Sequence, residues 1–193
     1  AHLSHVSIMA AAAWLPWLFA LTHALLRPTN PARWFPWPGV LALALVTGLQ
    51  FLAGHPQISL LSMMALAAYA LFLGLTGNRQ QTVRAWSCWV AALVLGIALA
   101  LPQLVPTFEL SALSQRAGGL DSAFFTSYSF HPFLLATYLS PFLLGNPYPT
   151  GSVELMGYVG LLPLVLAGVA LWRWRGKEKW FFAGLILVGA LLA

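Results

Sequence analysis

An all-α fold, a polytopic bundle of transmembrane helices, follows from three observations on this 193-residue sequence. Only 7% of its residues are charged while 60% are hydrophobic, and the mean hydropathy is +0.82. The apolar residues gather in long runs separated by short turns, and the basic residues crowd into alternate turns. An average soluble domain carries about 25% charged residues, so this chain lacks the charge to solvate a globular surface. A soluble enzyme, a nucleic-acid binder and a disordered tail are all excluded on that ground. The formal charge of +5 comes from nine Lys and Arg against four Asp and Glu. That is too thin a basic surplus to track a phosphate backbone.

The runs can be walked in order. The first predicted span is 6–26, followed by the breaker cluster 27–38, RPTNPARWFPWP. The second, 39–53, ends at Gly54-His55-Pro56-Gln57, and the third is 58–75. A polar turn, 77–84, leads to a fourth span, 85–101, which runs into Pro102 and Pro106. A mixed segment, 107–154, precedes a fifth span, 155–171, the turn 173–179, and the start of a sixth from Trp180. A spanning helix needs about 20 apolar residues, so the shorter runs imply tilt or a locally thinned bilayer. The sixth run stops short of that length. The whole, 1–193, reads as one transmembrane domain from a longer chain, with about five complete spans and a truncated sixth. Lipid admits only helices or closed barrels, and these lengths select helices.

Charge placement orients the bundle. Arg27, Arg33, Arg79, Arg84, Arg173, Arg175, Lys177 and Lys179 all fall in the turns after spans one, three and five. By the positive-inside rule that side is cytoplasmic. Trp34, Trp37, Trp86, Trp89, Trp172, Trp174 and Trp180 lie at the same turns and are expected to form an interfacial belt. The opposite, extracytoplasmic side would hold 1–5, 54–57 and 107–154. It collects Glu109, Asp121 and Glu154, together with His2, His5, His55, His131, Gln57, Gln103 and Arg116. Polar chemistry is therefore expected on the outer face.

Each outer feature has a structural and a functional reading. In Gly54-His55-Pro56-Gln57, Gly and Pro explain a sharp reversal by themselves. His55 and Gln57 go beyond what a turn needs, and would hydrogen-bond a lipid phosphate or a sugar. Glu109 and Arg116 are seven residues apart, so a helix there would set them on one face. Arg116, the one basic residue outside, could grip phosphate bidentately and Glu109 could take a proton from an acceptor hydroxyl. Alternatively Arg116 forms an ion pair with Glu109 or Asp121, worth about 0–1 kcal/mol at an exposed site. The apolar segment 130–144 is too short to cross, and crossing would move Glu154 to the basic side. An interfacial or re-entrant helix is expected there, opened by Pro132 and kinked or ended by Pro141.

No Walker loop, dinucleotide-binding glycine motif, HExxH or CxxC is present, so no cofactor is expected. His2 and His5 make a workable pair for a divalent metal, but nothing in their spacing demands one. Cys88 reads as a small apolar filler.

Taken in order, AAAAWLPW, LAGHPQ, LPQLVPTFELSALSQR, YLSPFLLGNP and ELMGYVGLLPLVLA resemble the YfhO-type bacterial membrane proteins. The resemblance covers most of the chain. It implies a GT-C-like polytopic fold, as in glycosyltransferases that use polyprenyl-phosphate-linked sugars at the outer leaflet of the bacterial plasma membrane. It also implies a cell-envelope polymer, such as a teichoic acid, as acceptor. The catalytic acid of such enzymes is expected in the first outer loop, upstream of this sequence. The positions that match are His55 and Gln57 of GHPQ, and Glu109 and Arg116 of P-x-x-E-L-x-x-x-S-x-R. As substrate-binding residues, Arg116 would hold the lipid phosphate, His55 and Gln57 would orient phosphate or sugar, and Glu109 would organise the site. Two other readings stand beside the enzyme. A transporter of lipid-linked sugar would need polar residues at mid-membrane depth, where the runs are nearly bare; the main exceptions, Thr47 and Gln50, lie in the outer part of span two. A non-catalytic membrane scaffold would explain composition and topology equally well.

Overall fold

A computed structural model describes residues 6–28, 35–76, 79–113, 132–140, 142–143 and 158–192. All regular structure among them is helical. Three helical stretches are long and apolar enough to cross a membrane: Val6–Leu26, Pro56–Leu75 and Val83–Ser111. Trp37–Leu52 and Leu161–Arg173 are shorter apolar helices. The chain divides into two compact units, Ala1–Ala117 and Gly118–Ala193.

The first unit begins with α1 (Val6–Ala13) and α2 (Leu15–Leu26), which together make up the first apolar run. Pro16 accounts for the break between them. It has no N–H for the carbonyl four residues back, and its ring crowds that carbonyl. Regular bonding resumes where Leu18 N donates to Trp14 O at 3.1 Å. Next come α3 (Trp37–Leu52), with Pro38 in its first turn, and α4 (Pro56–Leu75), which opens on a proline. These are the helix positions where a missing N–H costs nothing.

The last helix of the unit, α5 (Arg79–Ala112), is 34 residues long and passes through both Pro102 and Pro106. The prolines were expected to end the fourth span near Leu101. They lie four residues apart, hence on one face, and both are exposed. The weakened carbonyls therefore face outward, and the inner face keeps its bonds. Thr107 Oγ1 donates to Gln103 O at 2.8 Å and Ser111 Oγ to Phe108 O at 2.8 Å, extra bonds on the stretch beyond the prolines. At about 1.5 Å per residue, 34 residues reach ~51 Å, well beyond a ~30 Å hydrocarbon core.

Side-chain contacts give the directions. Arg27 at the end of α2 donates to Leu73 O (2.9 Å) and Thr76 Oγ1 (2.8 Å) at the end of α4. His23 Nδ1 meets Tyr69 OH at 2.8 Å, so α2 and α4 run parallel. Trp89 Nε1 of α5 donates to Thr22 Oγ1 at 3.0 Å, and Gln50 Nε2 of α3 donates to Ala11 O of α1 at 3.2 Å. Thus α3 and α5 run together, opposite to the other helices. Arg27 and the first turns of α3 and α5 share one end of the bundle, and the His55 turn lies at the other.

The core is Leu18, Leu25, Val40, Leu43, Leu66, Ala70, Trp89 and Ala92. Trp89 was expected in the interfacial belt. It is instead only 5% exposed, with its indole N–H satisfied by Thr22, and belongs to the core. The tightest approach is between α3 and α5. A Cβ placed at Gly96 would lie 2.5 Å from Thr47 Cβ and 2.7 Å from Ala44 O, so the backbones meet where there is no side chain. Ala92, Gly96 and Ala100 form the four-residue spacing of small residues on the α5 side.

The second unit contains a 3-10 helix (Pro132–Tyr138), α6 (Leu161–Arg173) and α7 (Glu178–Leu192). The 3-10 helix begins at Pro132, as expected, but is shorter than 130–144. Thr137 Oγ1 donates back to Leu134 O at 2.6 Å. No residue of α6 is buried, and nothing stands within 4 Å of a Cβ placed at Gly168, Gly184 or Gly189.

Gly96→Val should therefore lower stability by at least about 1–3 kcal/mol, the usual cost of overpacking. Gly168→Ala, with open space around it, should be neutral or gain up to about 1 kcal/mol. Thermal unfolding of the detergent-purified variants, followed by helical circular dichroism, checks both.

Candidate functional site at the polar end of the bundle

The turn between α3 and α4 is built by Gly54 and His55. Gly54 has φ +79°, in the left-handed region that costs glycine nothing. His55 is the N-cap of α4, its Nδ1 accepting from Ile58 N at 3.3 Å. The same helix end is tied to α3 by Ser59, whose Oγ donates to His55 O (3.2 Å) and lies 3.4 Å from Gln50 O. His55 is half-buried and engaged in the backbone, whereas Gln57 beside it is exposed. The structural reading of His55 thus has a direct hydrogen bond behind it.

One turn inside this end lies a buried polar cluster. Gln50, 0% exposed, donates from Nε2 to Ser62 Oγ (2.9 Å) and Ala11 O, linking α3 to α4 and α1. Thr47 and Ser59 are also fully buried. Among the described residues Gln50 Oε1 and Thr47 Oγ1 have no hydrogen-bond partner, although a buried unsatisfied polar group costs roughly 1–3 kcal/mol. Thr47 and Gln50 were legible as polar interruptions of their run, but Ser59 and Ser62 were not singled out. Their signal was present: two serines three residues apart in an apolar run share a helix face.

Helix α5 extends past the turn. A Cβ at Gly54 would lie 3.6 Å from Gln103 Nε2, which sets Gln103 level with Gly54. Glu109 is six residues further, about 9 Å along the helix. It is exposed, as are Phe108 (71%) and Leu110 (68%) beside it. Six residues also turn Glu109 to a different side of the helix from Gln103. Among the described residues nothing bonds to its carboxylate. Gln57 and Glu109 therefore sit at the same end of the unit, both exposed, while His55 caps α4 through Nδ1. Arg116, Asp121, Glu154, His2, His5 and His131 lie outside the described residues, and so does the expected Glu109–Arg116 pairing.

This end can offer amide donors from Gln57 and Gln103 and a carboxylate from Glu109. Among the described residues no group of three or more His, Cys, Asp or Glu could hold a metal ion. Comparison with known protein families, with characterised proteins and with solved structures finds no match to this chain.

Loss of the cap should be measurable apart from any activity. His55→Ala is expected to destabilise the protein by about 1 kcal/mol. His55→Asn should recover most of that, because its side-chain oxygen can accept from the same N–H. Thermal unfolding of the two variants tests the assignment.

Proposed function

We propose that this chain belongs to a membrane-embedded, glycosyltransferase-like protein that transfers a sugar from a polyprenyl-phosphate donor to a cell-envelope polymer. In this reading the chain forms five spans and the start of a sixth in the bacterial plasma membrane. The 3-10 helix marks the interfacial segment, and the end bearing Gln57 and Glu109 faces out of the cell. The observation that supports it is the extension of α5 past the His55 turn, with Glu109 exposed beyond the level of Gln103. A helix about 20 Å longer than the hydrocarbon core presents its last turns where lipid headgroups lie. A carboxylate and two amides there suit a hydroxyl-bearing, phosphate-linked substrate.

Arg116 is the phosphate-holding residue in this proposal, and Glu109 organises the site. The hydrogen bond from Ile58 N to His55 supports a non-catalytic scaffold as the second reading, since it gives the GHPQ histidine a structural task.

Membranes carrying the full-length protein should transfer labelled sugar from a polyprenyl-phosphate donor. Arg116→Ala should reduce that transfer by at least about 100-fold, the scale on which charge-stabilising groups act, with protein level unchanged. Glu109→Gln should reduce it as well. Full transfer in both variants, or none by the unaltered protein, would favour the scaffold.

A further inference from the structure

The basic side chains among the described residues divide into two groups by what they touch. Arg27 is held by Leu73 O and Thr76 Oγ1, closing the last turn of α4. Arg84 is engaged in a contact of its own. Lys179 donates to Leu171 O at 3.1 Å, closing the last turn of α6, and its Nζ lies 5.2 Å from the centre of the Trp180 ring. Arg173, Arg175 and Lys177 have no such engagement among the described residues. All three are exposed, and no described residue bonds to their side chains.

The turn that carries them is short, because α6 ends at Arg173 and α7 begins at Glu178. Three cations therefore fall within five residues. Trp172, Trp174 and Trp180 stand around them, 82%, 59% and 70% exposed. Trp174 Nε1 points to Glu178 Oε2 at 3.5 Å, so the nearby carboxylate faces an indole. Exposed indoles at the ends of two apolar helices are the side chains that settle at headgroup depth. They put the three free cations at the level of lipid phosphates. An arginine there can take two phosphate oxygens at once, and a lysine adds a point charge.

From this we infer that the α6–α7 turn is a binding site for acidic phospholipid headgroups, formed by Arg173, Arg175 and Lys177 and framed by Trp172, Trp174 and Trp180. The occupant is lipid rather than a soluble anion, because the framing side chains are large, apolar and exposed. The inference rests on the membrane reading of the helices and is independent of any sugar transfer.

Native mass spectrometry of the detergent-purified protein, titrated with phosphatidylglycerol or phosphatidylcholine, tests it. The unaltered protein should retain phosphatidylglycerol preferentially. Each cation near an anionic surface contributes about a five-fold preference, so Arg173→Gln, Arg175→Gln and Lys177→Gln together should lower it by more than about ten-fold. Arg173→Lys with Arg175→Lys should keep most of it, and circular dichroism confirms that each variant is helical. Equal retention of the two lipids by the unaltered protein would overturn the inference. So would a preference unchanged in the triple variant, or displacement of the lipid by millimolar inorganic phosphate, which would mark a soluble-anion site.

Discussion

Helices α3 and α5 approach until the backbone of Gly96 lies against Thr47 and Ala44 O, with no space for a Cβ between them. In a chain with so little charge, helices cannot be sorted by burying oil away from water, since lipid is as apolar as leucine. Close packing of small residues takes over that task. The other contacts of the first unit follow from this one. With α3 and α5 parallel and in contact, Trp89 reaches Thr22 on α2, and the end of α3 lies level with Gln103. The turn after α3 then lies beside Gln103 on the extended end of α5.

Polar side chains inside the bundle lock this arrangement at separate depths. Gln50 ties α3 to α1 and α4 near one end, while Thr22–Trp89 and His23–Tyr69 tie α2 to α5 and α4 further along. Arg27 closes the opposite end against α4. Hydrogen bonds in an apolar interior have no water to compete with them, so each specifies a register as well as a contact. The two ends also differ in character. At one Arg27 closes the last turn of α4, and at the other Glu109 and Gln57 are exposed.

Much of this was legible in the order of residues. Runs of apolar residues between breakers located the helices of the first unit, except that the first run divides into α1 and α2, and Pro132 located the start of the 3-10 helix. Where the reading and the structure differ, neighbours account for it. Pro102 and Pro106 signal a helix end by local chemistry, but their shared exposed face lets α5 continue. Trp89 lies near a basic turn and so reads as interfacial, yet Thr22 offers its N–H a buried partner. For His55 both a structural and a ligand-binding reading were open, and its Nδ1 accepts from Ile58 N at the start of α4.

The sequence by itself determined an all-helical fold with helices long and apolar enough to cross a membrane, because that depends only on composition and on distance along the chain. Tertiary structure decided which polar residues remain available. Gln57, Glu109, Arg173, Arg175 and Lys177 are exposed, with no described residue bonded to their side chains, whereas His55, Gln50, Arg27 and Lys179 are engaged within the protein. That division depends on which helix stands beside each side chain. Spacing along one chain does not specify such a neighbour, and the close contact of α3 with α5 does so for the first unit.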